Sequence, residues 1–272
     1  MQDRLSEMLV EGIRFVRRIW PFRVGHDLPN HLAARLARRG WLKPVWYEFK
    51  PGLWMQLSIQ DMTQETILLE AGWDPLLTEF TKQALAEGSV FIDVGANAGY
   101  FTLIAAQCVG NSGKVLSIEP NPSVAKQLKV NVERSRLSNV IIEQAACSDS
   151  LSPLTLYIPD QSKLGQASLS KANAGGVDSV KVRSATLDQL ILDNALEAVT
   201  FVKIDVEGAE LMVLRGMTET LRRFKPTIVL ELEPDLLAEL GTTKDEVIAF
   251  LSKFSYSTVS LGGHANYVCR PI

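Results

Sequence analysis

The sequence predicts an α/β fold with a mainly parallel sheet that is covered by helices on both faces. Short apolar segments alternate with segments of helical periodicity from residue 90 almost to the C-terminus. Strand–helix–strand units of this kind need right-handed crossovers, which make the strands parallel and place a ligand at their carboxyl ends. The chain has 272 residues, 46% hydrophobic and 22% charged, which suffices for one sizeable core with or without an extension.

The elements of the predicted sheet follow one another regularly. The apolar segments predict strands at residues 90–94, 115–119, 140–146, 201–205 and 227–232. The periodic segments predict helices at residues 100–109, 123–135, 186–192, 209–224 and 243–254. Two further strands, 256–260 and 266–270, stand too close together for a crossover helix, so we expect them to pair antiparallel.

Two parts of the chain lie outside this alternation. Residues 152–183 predict an insertion with hairpin character, whose strands are 154–158 and 180–183. Ahead of the first sheet strand, residues 54–59 alternate as a strand does, and residues 65–69 and 75–86 predict helices.

The first fifty residues predict a separate basic extension. They carry ten Lys and Arg against five Asp and Glu, whereas residues 51–272 carry 18 against 26, so the net charge of −3 joins two unlike parts. Amphipathic helices are predicted at residues 5–20 and 31–39. We therefore divide the chain into a helical N-terminal extension, 1–50, and a main domain, 51–272. The acidic main domain argues against a nucleic-acid partner.

The partner of the extension stays open. Its helices pack their apolar sides on the main domain or on a second subunit, as in a homodimer, or they make peripheral contact with an anionic membrane surface. Charged residues interrupt the apolar positions near the N-terminus, so no secretory signal is visible and we expect a cytoplasmic protein. Three widely spaced cysteines predict reduced thiols rather than a disulfide framework.

The loop DVGANAG, which begins at Asp93 and follows the first sheet strand, carries a binding motif. Gly95 and Gly99 let the backbone turn sharply and approach a ligand, and Glu119 at the end of the next strand suits the two hydroxyls of a ribose. The glycine spacing, with Asn97 in the middle, departs from the G-x-G-x-x-G of dinucleotide sites and disfavours a pyrophosphate. Asp93 suits an ammonium or sulfonium group, so the motif indicates S-adenosylmethionine. The alternative is a tight strand–helix turn without a ligand.

Asp149 extends this pattern to the next strand. It lies just past residues 140–146, at the same edge of the predicted sheet, where its carboxylate can accept a hydrogen bond from an adenine amino group. The alternative for Asp149 is an ordinary turn or helix-capping aspartate.

Longer motifs resemble one family. FIDVGANAGYFTLIAA, SIEPNP, QAACSD, TLDQL, FVKIDVEGAELMVLRG and PTIVLELEP together resemble the FkbM-type S-adenosylmethionine-dependent methyltransferases over about residues 55–260. The resemblance implies a Rossmann-like class I methyltransferase fold, whose seven-stranded, mainly parallel sheet has an antiparallel last strand. It implies methyl transfer commonly to an oxygen of a glycan, a polyketide or another small metabolite. It implies cofactor roles for Asp93, Gly95, Asn97, Gly99, Glu119 and Asp149. Trp73 stands where we expect a smaller aromatic residue.

The predicted catalytic residues are two carboxylates at the end of the fourth sheet strand, Asp205 and Glu207. A hydroxyl is a poor nucleophile and needs a group that takes its proton as the methyl group is transferred. Asp205 is the first candidate for this base. The alternative for Glu207 is stabilisation of a helix N-terminus. His264, in the turn between the last two strands, is a further candidate.

Two further predictions concern the site: the partner of Lys203 and whether a metal ion takes part. A lysine inside a strand covered on both faces needs a partner, and we expect Glu231 or Glu233 on the neighbouring strand to supply one. The alternative for Lys203 is direct contact with the cofactor or the acceptor. Metal-assisted transfer needs several acids and an amide around one cation, and Asp205 has no such adjacent partner, so we predict no metal.

These observations predict an S-adenosylmethionine-dependent methyltransferase. The leading hypothesis is O-methylation of a hydroxyl on a sugar, glycan or natural product, with the insertion 152–183 and the N-terminal extension shaping the acceptor site. A second hypothesis is a non-catalytic binding protein with a methyltransferase fold, at a membrane surface or in a complex. A third, an NAD-linked oxidoreductase, is disfavoured by the glycine spacing.

Overall fold

A seven-stranded sheet forms the centre of the protein. The computed structural model describes residues 2–19, 43–160, 163–175, 178–262 and 265–272. The strands in chain order are β1 (Val45–Lys50), β2 (Leu53–Leu57), β3 (Val90–Val94), β4 (Lys114–Ile118), β5 (Val140–Glu143), β6 (Ala146–Cys147), β7 (Leu154–Ile158), β8 (Asp178–Val182), β9 (Ser184–Ala185), β10 (Phe201–Ile204), β11 (Thr227–Glu231), β12 (Tyr256–Ser260) and β13 (Asn266–Pro271).

Helices cover both faces of the sheet. In chain order they are α1 (Gln2–Ile19), α2 (Met62–Glu70), α3 (Pro75–Ala84), α4 (Tyr100–Val109), α5 (Pro122–Arg134), α6 (Leu187–Asp193), α7 (Glu210–Arg215), α8 (Thr218–Arg223), α9 (Pro234–Glu239) and α10 (Lys244–Ser252). Side chains cap several of their N-termini as the sequence requires: Asp61 Oδ1 accepts a hydrogen bond from Gln64 N, and Thr243 and Glu246 form a capping box at α10.

The order of the large sheet is β12-β13-β11-β10-β3-β4-β5. Strand β13 is antiparallel to both β11 and β12, and the pairs among β11, β10, β3, β4 and β5 are parallel. The predicted seven-stranded, mainly parallel sheet with an antiparallel last strand is therefore confirmed. The chain winds from β3 towards β5 on one side and reaches β10 and β11 on the other, so the order reverses between β3 and β10. A ligand crevice is expected above this point.

The two faces of the sheet bury separate hydrophobic cores. In β3, Val90, Ile92 and Val94 belong to one core, with helices α6, α7, α8 and α10, and Phe91 belongs to the other, with α3, α4 and α5. All five side chains of β3 are buried. This double burial explains why the sheet strands appear in the sequence as continuous apolar runs.

Two predicted elements differ from the observed ones, and one observed helix was not predicted. The strand predicted at 140–146 ends at Glu143, and β6 pairs instead with β9 in a separate two-stranded ladder. The helix predicted at 209–224 is divided into α7 and α8 at Gly216, where a Cβ would lie 2.1 Å from the backbone oxygen of Ser148. The short helix α9, which begins at Pro234, was not predicted.

The N-terminal part packs on a hairpin of β1 and β2. Val10 and Ile13 of α1 are buried, and the Arg14 guanidinium donates a hydrogen bond to the Tyr47 hydroxyl at 2.7 Å. The predicted boundary between residues 50 and 51 lies in the turn of this hairpin, because β1 pairs with β2 antiparallel. The division of the chain stays a prediction. The helix predicted at 31–39 lies outside the described residues.

The outer side of α1 carries exposed apolar side chains. Met8 is 73% and Phe15 63% exposed. Among the described residues, no helix is long and apolar enough to cross a membrane. Contact of α1 with a membrane surface or with a second subunit stays a prediction.

Candidate active site

One cavity of about 310 Å³ opens above the carboxyl ends of the central strands. Gly95 and Asn97 from the loop after β3, Glu119 after β4, and Asp205 and Glu207 after β10 line it together. Five of the residues predicted from the sequence thus share a single cavity. Asp93, Gly99 and Asp149 are not among its lining residues.

The loop after β3 needs glycine for two different close approaches. Gly95 has φ +79°, and a Cβ there would lie 1.8 Å from the backbone oxygen of Asp205. Gly99 has φ +100°, and a Cβ there would lie 2.5 Å from a methyl group of Leu128 in α5. Gly95 therefore lets the loop lie against the end of β10, whereas Gly99 lets α4 begin against α5.

Asn97 forms the tip of this loop. It has φ +50°, a left-handed conformation that asparagine tolerates better than most residues, and its Oδ1 accepts a hydrogen bond from Ala98 N at 2.6 Å. The backbone N–H of Asn97 points to Glu119 and donates to its Oε2 at 2.9 Å. The loop and the acid after β4 are thus held as one unit.

Glu119 is a buried carboxyl on the cavity wall. Its second oxygen accepts a hydrogen bond from Asn121 N at 2.9 Å. Burial raises the pKa of Glu119 to about 7, although the two backbone hydrogen bonds oppose the shift. Each carboxylate oxygen keeps further acceptor capacity after one hydrogen bond, which leaves Glu119 able to accept from ligand hydroxyls.

Lys203 lies between two carboxylates. Its Nζ donates to Asp205 Oδ2 at 3.0 Å and lies 3.8 Å from Asp93 Oδ1. The expected pairing with Glu231 or Glu233 therefore does not describe the main contacts. Strand alternation places Lys203 and Asp205 on the same face, and the register of β10 with β3 places Lys203 beside Asp93.

Asp93 lies behind the cavity rather than in its wall. Its carboxylate is 1% exposed and accepts a hydrogen bond from the Thr102 hydroxyl at 2.7 Å. Burial raises the pKa of Asp93, against the opposing effects of Lys203 and Thr102. For Lys203 itself, burial works to lower the pKa, but the charges of Asp205 and Asp93 outweigh it and raise the pKa.

Asp205 and Glu231 form a carboxyl pair at the ends of β10 and β11. Burial works to raise the pKa of Asp205, but the charge of Lys203 and a hydrogen bond from Glu231 outweigh it and lower the pKa. The charge of Asp205, together with burial, raises the pKa of Glu231 to about 10. Glu231 therefore keeps its proton at neutral pH and Asp205 keeps its charge.

Glu207 extends the acidic wall beyond Asp205. It has φ +54° and is one of the residues that line the cavity. Burial and the charges of Asp205, Glu210 and Glu233 raise the pKa of Glu207 to about 8, against the opposing charge of Lys203. A carboxyl group of this kind exchanges its proton near neutral pH.

The cavity is also lined by Asp74, Glu231 and Asn266, none of which was predicted as a site residue. Asn266 Nδ2 donates to Asp74 Oδ2 at 2.7 Å, which connects the N-terminus of α3 to β13 across 192 positions of sequence. The register of β11 with β13 pairs Glu231 with Asn266. The only signal in the sequence was an acid at the end of the fifth sheet strand. The order of the strands was needed to place Glu231 beside Asp205.

The insertion covers part of the cavity. Leu156, Ala167 and Leu169 line it, as does Gly165 in the 3-10 turn Leu164–Gln166. A Cβ on Gly165 would lie 2.1 Å from Asn97 Nδ2, so the insertion lies directly against the loop after β3. Trp73 also lines the cavity, which places the larger aromatic side chain in its wall.

Two predicted residues lie away from the cavity or outside the described residues. Asp149 is exposed, and its Oδ2 lies 3.9 Å from a guanidinium nitrogen of Arg215. Its contact with an adenine stays a prediction. His264 lies outside the described residues. Within the described part of the chain, no three His, Cys, Asp or Glu side chains are grouped so that they could hold a metal ion.

The sheet order, the glycine loop after β3 and the acid after β4 define a Rossmann-like class I methyltransferase that depends on S-adenosylmethionine. The sequence matches the methyltransferase FkbM domain over residues 93–258, and the chain belongs to this family. Its cofactor is S-adenosylmethionine.

Two individual relatives share less than 30% of their residues with this chain over the matched segments. The chain is 28% identical over 148 residues to a probable cobalt-precorrin-6B C(15)-methyltransferase (decarboxylating) of Sulfurisphaera tokodaii, a match that covers 50% of this chain and 73% of that protein. It is 29% identical over 143 residues to the hexuronic acid methyltransferase AglP of Haloferax volcanii, covering 53% of this chain and 56% of the relative. A solved SAM dependent methyltransferase from Aquifex aeolicus is similar with a TM-score of 0.44 and 19% identity, covering 72% of this chain and 88% of that structure.

Proposed function

We propose that the protein is a cytoplasmic O-methyltransferase that transfers the methyl group of S-adenosylmethionine to a hydroxyl of a sugar, glycan or natural product. The observation that carries the proposal is the shared cavity, which is lined by Gly95, Asn97 and Glu119 from the ends of β3 and β4 and by Asp205 and Glu207 from the end of β10. A binding wall and acids able to take a proton thus meet in one space.

The half of the cavity above β3 and β4 fits an adenosyl group. Glu119 would accept hydrogen bonds from the ribose hydroxyls, and the apolar side chains of Ile118, Ala146 and Cys147 would flank the adenine. Gly95 and Asn97 would hold the methionine portion. Asp93 and Gly99 would support the cofactor site without contacting the cofactor. Asp93 would hold Lys203 in place, and Gly99 would let α4 begin against α5. When bound, the cofactor supplies the electrophilic methyl group.

The half above β10, β11 and β13 suits a hydroxyl-bearing acceptor. Asp74, Glu231 and Asn266 offer carboxyl and amide groups, which accept and donate hydrogen bonds to hydroxyls, and Trp73 adds an aromatic surface. The similarity to a hexuronic acid methyltransferase also supports a sugar acceptor. The insertion excludes water from above, which methyl transfer requires.

Of the two predicted catalytic acids, Glu207 is our candidate for the base. Lys203 keeps Asp205 charged and lowers its pKa, which makes Asp205 a weak proton acceptor. The pKa of Glu207 is raised to about 8, so its carboxylate accepts a proton more readily. Asp205 would instead stabilise the positive charge that the cofactor carries before transfer.

Calorimetric titration with S-adenosylmethionine tests the cofactor half. We expect Glu119→Ala to weaken binding by about tenfold or more, because one charge-assisted hydrogen bond contributes roughly 1.5–3 kcal/mol. Glu143→Ala is the matched control: Glu143 ends the neighbouring strand β5 but does not line the cavity. Equal affinity of Glu119→Ala and the control would remove Glu119 from the proposed site.

Incubation with methyl-labelled S-adenosylmethionine tests the transfer. The acceptor pools are neutral glycosides, uronic acids, polyketide alcohols and peptides, and mass spectrometry detects the added methyl group and its position. We expect the labelled methyl group on a hydroxyl oxygen of a compound in a sugar or natural-product pool. Tight cofactor binding without transfer to any pool would instead favour the binding-protein hypothesis.

A further inference from the structure

The backbone of Glu207 is held from above by the insertion. The Ser168 hydroxyl donates a hydrogen bond to the backbone oxygen of Glu207 at 3.0 Å, and Asn173 Nδ2 donates to the same oxygen at 3.4 Å. Glu207 is a non-glycine residue at φ +54°, a conformation that costs about 1 kcal/mol or more and persists only where the surroundings impose it. Two donors on one carbonyl oxygen are such an imposed constraint.

Ser168 is itself fixed within the insertion. Its backbone forms a bridge with Tyr157 of β7, with hydrogen bonds of 2.9 and 3.1 Å. Its hydroxyl oxygen accepts a hydrogen bond from Ser170 N at 3.1 Å, and the side chain is 1% exposed. With its acceptor side used by Ser170, the hydroxyl is oriented to donate to Glu207.

Asn173 joins the insertion to two further parts of the fold. Its Nδ2 also donates to the backbone oxygen of Leu236 in α9 at 3.2 Å. Leu236 in turn lies against Gly208, where a Cβ would be 2.4 Å from the same oxygen. Asn173 therefore fixes the Glu207–Gly208 turn against α9.

The opposite side of this turn is held by Glu210. Its Oε1 accepts hydrogen bonds from Val206 N and Gly208 N, both at 3.2 Å. Glu210 thus fixes the N–H groups of the turn from the sheet side, while the insertion fixes its carbonyl group. Glu207 lines the cavity from this turn, together with Val206 and Ala209.

We propose that Ser168 and Asn173 are positioning residues that hold Glu207 in its left-handed conformation and so direct its carboxyl into the acceptor half of the cavity. This inference rests on the proposed role of Glu207 as the base. The insertion would then do more than line the cavity. It would hold the base in place, and only while it packs against the turn after β10.

The pKa of Glu207 reports the position of its carboxyl group, because it depends on the charged neighbours. Asp205, Glu210, Glu233 and Lys203 act on its carboxyl, and the net effect with burial is a pKa of about 8 rather than the ordinary 4.5. If the turn relaxes and the carboxyl moves towards solvent, burial and the charges of the acids weaken together. The pKa of Glu207 then falls towards 4.5.

Carboxyl ¹³C NMR of the full-length chain, labelled at glutamate, tests the proposal without any acceptor. Glu207→Gln identifies the Glu207 signal. We expect a strongly raised pKa in the unchanged chain, and a fall of at least one pH unit in Ser168→Ala/Asn173→Ala and, to a smaller degree, in Asn173→Ala alone. Ser179→Ala, an exposed serine of β8 in the same insertion, is the matched control and should leave the pKa unchanged.

The outcomes separate this proposal from the proposed function. An unchanged Glu207 pKa in a double variant with native circular dichroism would overturn the positioning role, whatever the methyltransferase activity. An equal fall in Ser179→Ala would overturn it too, since the effect would then belong to the insertion in general. If the double variant does not fold, Asn173→Ala supplies the same comparison. Calorimetry with S-adenosylmethionine should give nearly the same affinity in all variants, because the adenosyl half is untouched.

A double-mutant cycle gives the second readout once an acceptor pool is known. Asn173→Ala should lower kcat with little change in the KM for S-adenosylmethionine, and it should have almost no further effect in Glu207→Gln. Additive losses in the two backgrounds would show that Asn173 acts by another route and would overturn the proposal.

Discussion

At the scale of single residues, one buried lysine lies between two carboxylates, the buried Asp93 and the partly exposed Asp205. Lys203 is 4% exposed, and its ammonium group contacts Asp205 and Asp93. We expect Lys203→Met to lower the free energy of unfolding by about 3–5 kcal/mol, because it leaves the buried carboxylate of Asp93 without its cationic partner. Urea denaturation followed by circular dichroism measures this. Lys181→Met, at an exposed site of β8, should cost under about 0.5 kcal/mol. A loss below about 1 kcal/mol in Lys203→Met would contradict the pairing.

The pH dependence of transfer should report Glu207. Its pKa is raised from 4.5 to about 8, so at lower pH the carboxyl is protonated and cannot accept the acceptor's proton. We expect kcat to rise with pH up to about 8 and then to level off. Glu207→Gln should remove this limb and lower kcat by about a hundredfold or more. Glu119, with a pKa of about 7, is the other cavity acid that titrates in this range. A limb that survives in Glu207→Gln would therefore point to Glu119.

Local patterns predicted three of the residues that line the cavity above β3 and β4, namely Gly95, Asn97 and Glu119, because a glycine loop and an acid at a strand end are each encoded within a few positions. The partners of Lys203 were not visible in the same way. Asp205 is two positions away on the same strand, but Asp93 is a neighbour only because β3 lies next to β10. Asn266 and Asp74 likewise meet only in the folded chain. Contacts between residues that become neighbours only through the order of the strands cannot be predicted from a single sequence.

At the scale of elements, the loop after β3 should be the least tolerant connection in the fold. We expect Gly95→Ala to abolish measurable S-adenosylmethionine binding and to cost several kcal/mol of stability, since φ is +79° and a Cβ would lie 1.8 Å from Asp205 O. Gly175→Ala is the matched control, because φ is +68° but no atom of the described residues lies within 4 Å of the added Cβ. Only the backbone strain of about 1–2 kcal/mol applies there. Thermal denaturation and calorimetry measure both effects, and similar losses in the two variants would contradict the close approach.

Elements that appear in the sequence as apolar runs or helical repeats were predicted, whereas boundaries that depend on contacts between distant residues were not. Strands β3, β4, β10 and β11 are buried on both faces and appear as apolar runs. The division between α7 and α8 depends on the approach of Gly216 to Ser148 O, which no helical pattern contains. Strand β1 was also not predicted, although Val, Trp, Tyr and Phe in VWYEFK favour a strand, and it pairs with β2.

At the scale of the whole molecule, the hairpin of β1 and β2 belongs to the main core. Val45 and Phe49 of β1 are buried in the same cluster as Met55 of β2 and Phe91 of the large sheet. Val10 of α1 joins this cluster from the N-terminal side. The charge boundary near residue 50 therefore does not coincide with an edge of the core, and we propose that the folding unit begins before Val45.

Two shortened chains distinguish these boundaries. A chain that begins at residue 43 loses α1 but keeps the hairpin, and we expect it to stay folded with a lower Tm, because the surface that Val10 and Ile13 bury becomes exposed. A chain that begins at residue 51 also loses β1. It leaves β2 with one unpaired edge and removes Val45 and Phe49 from the core, so we expect a much lower Tm and aggregation at the exposed strand. Differential scanning calorimetry and light scattering compare the two chains, and equal stability would restore the boundary at residue 50.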